Sequence, residues 1–388
     1  MVLCALALFV VSLGYGVVVP LLPELAGVSD TGSASALSIV YAAYAAAKIG
    51  AQVPGGAWVD TVGGKRVLRA GVLLFTLSLV GFLFPLGAAW FAFVRTVEGA
   101  ATGLVYPAVF ALVLRGGVEK GSGKRIGAVS GIGTSGLLVG PAIAGALANQ
   151  GARAAVLAAL GVSVVICAFV LAGQGLGEDE PRVAGRRTVT SEVRNLVALA
   201  TTAGFLALCL PIAFNKLTFS AFQGLLPLHG PTLGLGVRGV SALFAATGIV
   251  FGASQALGGV LVDKFTPRGV VLALTVPLLV SLGVLPLTTA PLVFGAAYLA
   301  YVCASSIIFT ATLKHAARAF GTEDTYGGVF GVLGTLTDLM TIVGPLVFLN
   351  LYRPLGGWVF AAMAVCGVPF ALGFVRGKRR VTLAPEAA

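Results

Sequence analysis

The amino-acid sequence predicts an all-α membrane protein, with twelve transmembrane helices arranged as two pseudo-symmetric six-helix bundles. Composition is the first ground: 58% of the 388 residues are hydrophobic and 10% are charged, whereas a water-soluble domain carries about 25% charged residues. Run length is the second. Apolar stretches of twenty or more residues recur along the chain, enough to cross ~30 Å of hydrocarbon as helices and unlike the ~10-residue alternating segments of a membrane barrel. The third is an internal duplication: Gln52-x-x-Gly55-Gly56-x-x-Val59-Asp60 returns as Gln255-x-x-Gly258-Gly259-x-x-Val262-Asp263 at an offset of 203. Gly140-Pro141 and Pro23 return as Gly344-Pro345 and Pro227 at an offset of 204. Two like-oriented halves suit a scaffold in which one half rocks against the other.

The twelve runs lie near 2–24, 34–59, 67–86, 88–112, 126–149, 153–173, 196–228, 238–262, 269–287, 291–313, 326–351 and 355–376. The first starts at Met1 with no basic residue ahead of it and exceeds the 7–15 residues of a signal-peptide core, so it is read as a span. One extended polar stretch, 174–195, holds Glu178, Asp179, Glu180, Arg182, Arg186, Arg187 and Arg194. It reads as a flexible cytoplasmic linker between an N-terminal bundle, 1–173, and a C-terminal bundle with a short tail, 196–388. Gly supplies 54 of the 388 residues, about twice the usual ~7%, and small residues let membrane helices approach closely.

The net charge of +11 marks loops rather than a nucleic-acid surface. With both termini cytoplasmic, nineteen of the 25 Lys and Arg residues fall in inner loops and the tail. Arg153, Arg238 and Arg353 fall outside, and Lys48, Arg95 and Lys216 fall within spans. That asymmetry follows the positive-inside rule and predicts a multi-pass protein of the plasma membrane. The five cysteines, Cys4, Cys167, Cys209, Cys303 and Cys366, sit singly in apolar runs, and His229 and His315 are far apart; no disulfide frame, metal site or cofactor is indicated. The loops carry no phosphate-binding loop and no catalytic triad, so an enzyme or ATP-driven pump is not expected.

Three segments carry recognisable motifs. The first inner loop reads Gly56-Ala57-Trp58-Val59-Asp60-Thr61-Val62-Gly63-Gly64-Lys65-Arg66. Asp60 can cap a neighbouring helix N-terminus there or simply be a solvated carboxylate. Span 5 carries Gly127, Gly136, Gly140-Pro141 and Gly145, a spacing that permits close helix packing with a proline bend. Span 4 carries Arg95-Thr96-Val97-Glu98-Gly99, with opposite charges three residues apart on one helix face.

Together these resemble the major facilitator superfamily, and span 5 resembles the signature of its 12-helix drug/proton antiporter branch. The first loop is similar to the G-x-x-x-D-R/K-x-G-R-R/K pattern, departing at Thr61 and Gly64; its second copy includes Gly259 and Asp263. Span 4 is similar to R-x-x-Q-G, with Glu98 replacing Gln. The resemblance implies secondary transport by alternating access, with spans 1, 4, 7 and 10 lining a central cavity and 3, 6, 9 and 12 facing lipid.

Away from the ends of the spans the carboxylates are Glu98 and Asp338, the candidate proton-coupling groups. Arg95 and Lys48 are their expected charge partners. Lys48 belongs to a one-face stripe of Tyr41, Tyr44, Lys48 and Gln52, and the superfamily's vesicular amine transporters are similar in placing Lys and Asp on spans 2 and 11. Each pair reads either as a fixed salt bridge or as a group that trades its partner for a proton. Lys216, beside Asn215, either snorkels or lines the cavity. Further lining candidates are Tyr15, Tyr106, Phe219, Gln223, Tyr298, Tyr301, Ser305 and Ser306, whose alternative is core packing.

The expected function is proton-coupled export of a small organic solute by a monomer whose partners are solute, protons and the lipid bilayer, without nucleic acid. A proton-coupled importer or uniporter of an anionic metabolite is the alternative, suggested by an embedded charge of +1 over Lys48, Arg95, Lys216, Glu98 and Asp338. A sensor or lipid translocase is a third.

Overall fold

In hydrocarbon the backbone must satisfy its own polar groups, so long apolar runs fold as helices. The computed structural model of the protein describes residues 1–25, 34–84, 86–114, 121–173, 189–235, 237–322 and 325–377. Its helices are α1 Val2–Leu25, α2 Ala34–Val62, α3 Gly64–Gly81, α4 Ala88–Val113, α5 Ser122–Ala146, α6 Ala152–Ala172 and α7 Val189–Ala200. They continue as α8 Ala203–His229, α9 Val237–Lys264, α10 Pro267–Val284, α11 Pro291–Phe320, α12 Tyr326–Leu355 and α13 Val359–Arg376. No strand occurs among the described residues. Among the described residues eight segments are long and apolar enough to cross a membrane, the last of them, Tyr326–Arg376, taking in both α12 and α13 over 51 residues.

The linker expected at 174–195 is only partly open to comparison, because 174–188 lie outside the described residues. Residues 189–195 are helical, not linker, and belong to α7. The expected seventh span, 196–228, is correspondingly broken at Thr201–Thr202, and α8 starts at Ala203. The physical reason is amphipathicity: Leu196 and Leu199, three apart, are buried while Arg194, Val197 and Ala198 are exposed, the pattern of a short helix lying on a surface.

Two compact units result. Unit 1 comprises Met1–Gly117, Ile132–Val197 and Thr322–Thr335; unit 2 comprises Val118–Gly131, Ala198–Gly321 and Leu336–Ala388. The first turns of α12 therefore belong to the unit built from the first repeat, and the first turns of α5 to the other. Capping explains this. The Asp60 carboxylate, on α2, accepts hydrogen bonds from Gly327 N–H (2.8 Å) and Gly328 N–H (2.6 Å) at the start of α12. In unit 2, Asp263 on α9 accepts from Gly123 N–H (2.9 Å) and Lys124 N–H (3.0 Å) at the start of α5. Each carboxylate satisfies two of the N–H groups that a helix leaves unpaired and sits at the positive end of its dipole. The duplication read in the sequence recurs here as equivalent bonds.

Within unit 1, α3 and α6 are joined by the Thr76–Ser163 hydroxyl pair at 2.8 Å and by Arg69 Nε donating to the Val170 carbonyl at 3.3 Å. The core of unit 2 includes an aromatic cluster: the Phe222 ring lies 4.8 Å from Tyr298, 5.0 Å from Tyr301 and 5.5 Å from Phe360, between ring centroids. Such offset and tilted pairs contribute beyond area burial. Large apolar side chains remain exposed on α3, α6, α10 and α13, among them Leu77, Phe169, Val276 and Val365.

Candidate functional site

In unit 1 the site is built on α1, α2 and α4. Arg95 and Glu98 lie one turn apart on α4, and Arg95 Nη1 donates to Glu98 Oε2 at 2.8 Å with side-chain exposures of 1% and 0%. The Arg95 guanidinium lies 4.2 Å from the Tyr44 ring centroid and 5.4 Å from that of Tyr15, and the two rings are 5.2 Å apart. Aromatic faces lessen the cost of burying a guanidinium. Tyr44 donates to Thr102 Oγ1 at 3.4 Å, and Thr102 donates to the Glu98 carbonyl at 2.8 Å. Among the described residues Glu98 Oε1 and Arg95 Nε have no hydrogen-bond partner. A carboxyl with one oxygen so placed can carry a proton while keeping its link to Arg95.

Helix approach shapes this cluster. A β-carbon at Gly99 would strike the Tyr44 carbonyl, so α4 lies directly on α2. Lys48 Nζ stands 5.0 Å from the Tyr106 ring centroid; Lys48, Tyr106 and Tyr15 are half-buried. Gln52 is buried, with its carbonyl against Gly331. The Tyr41 side chain lies outside the described residues.

In unit 2, Lys216 on α8 forms an ion pair with Asp338 on α12, with side-chain exposures of 21% and 5%. Thr341 donates to the Asp338 carbonyl at 2.6 Å. Asn215 Nδ2 donates to the Ser305 carbonyl at 2.7 Å and so ties α8 to α11. Lys216, for which the sequence offered snorkelling or a cavity-lining role, thus has an ion-pair partner within its own unit. Lys48, the partner expected for Asp338, belongs to the other unit.

The lining candidates divide. Phe219 is half-buried against Phe251, with ring centroids 5.3 Å apart, and Gln223 is exposed. Tyr298, Tyr301, Ser305 and Ser306 are fully buried in the unit 2 core. There Tyr301 shares a hydrogen bond with Thr218 at 2.6 Å, Thr247 donates to Tyr298 at 3.3 Å, and Ser306 donates to the Phe251 carbonyl at 2.7 Å. The hydroxyls of Tyr298, Tyr301 and Ser306 thus join neighbouring helices, as a buried hydroxyl requires a partner.

The loop motifs have local reasons. Gly63 adopts φ 108° in the one-residue turn between α2 and α3, a region that favours a residue without a β-carbon. Lys65 is buried, Arg66 Nη1 donates to the Val62 carbonyl at 3.4 Å, and Thr61 donates to the Ala57 carbonyl at 2.8 Å. A β-carbon at Gly56 would strike the Gly327 carbonyl, and at Gly259 the Gly123 carbonyl. On α5, Gly127 meets the Gln255 carbonyl in unit 2, while Gly136 and Gly140 meet the α1 backbone in unit 1 and Pro141 packs on Gly16. Sequence reasoning missed Lys314, whose Nζ lies 2.6 Å from Asp263 Oδ1, and Thr102. The latter was findable, lying four residues after Glu98 on the same helix face.

Residues 4–345 match the family model of the Major Facilitator Superfamily. The chain is similar to multidrug resistance protein 2 of Bacillus subtilis, 25% identical over 367 residues covering 89% of this chain and 88% of that protein. It is also similar to the quinolone resistance protein NorA of Staphylococcus aureus, 31% identical over 169 residues, 42% of each chain. In fold it resembles the crystal structure of the human organic anion transporter MFSD10 (TETRAN), with a TM-score of 0.81 at 17% identity over 96% of this chain and 98% of that one.

Proposed function

The chain belongs to the Major Facilitator Superfamily and is a multi-pass membrane transporter, and on that premise we propose that it exports a small organic solute across the plasma membrane in exchange for protons. In this reading it works as a monomer of twelve spans in two six-helix bundles, with the linker and both termini in the cytoplasm, and exposes its site alternately to the two sides. The relatives named for multidrug and quinolone resistance support export, as does the glycine and proline spacing of α5.

Proton exchange rests on one observation, the Lys216–Asp338 ion pair with its partial exposure of 21% and 5%. A coupling carboxylate must be reachable from water and must hold a partner whose loss favours the protonated form. Asp338 is itself buried and meets the second condition, while its partner Lys216 is 21% exposed and leaves the pair open on the ammonium side. Glu98 meets only the second, since it and Arg95 are sealed at 0% and 1%. We therefore assign the primary coupling role to Asp338 and a secondary one to Glu98, with Lys48 completing the embedded charges. Tyr15, Tyr44, Gln52, Tyr106 and Phe219 are the solute-side candidates.

The test uses the purified protein in liposomes with an imposed pH gradient and a panel of radiolabelled organic solutes. For protein oriented with its cytoplasmic face outward, an acid lumen should drive solute inward, and a protonophore should abolish that accumulation. Uptake indifferent to the gradient across the panel would overturn proton exchange.

A further inference from the structure

Helix α7 lies between the two repeats, and its Leu196 occupies a particular spot in unit 1. A β-carbon on Gly328 would meet Leu196 Cδ2 at 2.5 Å and Asp60 Oδ2 at 2.9 Å. Leu196 and Asp60 therefore flank the same backbone carbon, where Gly328 N–H donates to Asp60 at 2.6 Å. Val59 closes the other side, against Gly327. Leu196 and Leu199 are buried.

We propose that α7 is a strap in which Leu196 is a positioning residue for the cap that Asp60 makes on α12. A charge-assisted hydrogen bond is stronger where water is excluded, and an isobutyl group laid over the bonded N–H excludes it. The cap in unit 2 is arranged differently. Val262 packs on Gly123 as Val59 does on Gly327, but Lys314 Nζ lies 2.6 Å from Asp263 Oδ1 and also donates to the Val262 carbonyl at 3.0 Å. The Asp60 cap thus has an apolar side chain from α7 beside it, and the Asp263 cap has a buried ammonium. Displacing Leu196 therefore uncovers the Asp60 cap.

Amide hydrogen exchange on the full-length protein in nanodiscs tests this without reference to transport. Leu196→Gln should raise exchange of the peptide spanning 325–330 about tenfold, the consequence of losing one buried apolar contact. The peptide spanning 121–126, at the Asp263 cap, should be unchanged. Leu196→Ala should give a smaller rise at 325–330 alone, and Leu196→Met should restore protection. Unchanged protection of 325–330 in both the Gln and Ala variants would overturn the proposal. So would an equal rise at 121–126, which would mean general loosening. Because the readout is exchange at named amides, it stands or falls separately from proton-coupled export.

Discussion

Burial of an ion pair is costly, and its two members are worth most together. Arg95 and Glu98 are both sealed on α4, so removing one should hurt more than removing both. Arg95→Leu should destabilise the protein by ~3 kcal/mol, the usual scale for leaving a buried charge uncompensated. Arg95→Leu with Glu98→Leu should recover most of that loss, as read by thermal unfolding in detergent; a double variant as unstable as the single would show that the two do not act as a pair. This pair was legible in the sequence because its partners share one helix face. Lys216 and Asp338 were not, because they lie on different helices, α8 and α12. A cue did exist: Gly344 abuts the Leu217 carbonyl, as Gly140 abuts α1. Applying the glycine-packing argument to both repeats would have set α12 on α8 and Asp338 within reach of Lys216.

At the level of elements, glycine spacing sets how closely helices approach. A β-carbon on Gly140 would come 2.7 Å from the Leu13 carbonyl oxygen, whereas one on Gly145 would meet nothing within 4 Å. Gly140→Val should therefore sharply reduce folded yield in size-exclusion chromatography, and Gly145→Ala should leave it unchanged. Equal tolerance would show that α5 does not depend on that approach. The long helices were legible from run length alone, each lying over an expected run, because in lipid a long apolar stretch has few alternatives to helix. Helix α7 was not. Its charged residues, Glu192 and Arg194, lie among apolar ones at a spacing that only twelve residues express, too few turns for the period to stand out against a polar surround.

For the whole molecule, the repeat was legible as near-constant offsets, and its physical content is the pair of carboxylate caps at α12 and α5. What the offsets did not reveal is which segments each unit recruits, since that depends on tertiary contacts no local pattern encodes. Orientation rests on the distribution of Lys and Arg. Single cysteines at position 184 and in place of Arg238, on a cysteine-free background, should react with an impermeant thiol reagent from opposite sides. Labelling of both from one side would contradict a cytoplasmic linker.

Proton exchange as proposed requires a carboxylate that trades an ammonium for a proton. Its most direct test is solute accumulation driven by an imposed pH gradient in proteoliposomes holding Asp338→Asn or Glu98→Gln. Asp338→Asn should abolish gradient-driven accumulation while leaving solute exchange at equal pH measurable, and Glu98→Gln should weaken coupling only in part. Full gradient-driven transport by Asp338→Asn would contradict the assignment, and undiminished driving in the double variant would contradict carboxylate coupling itself.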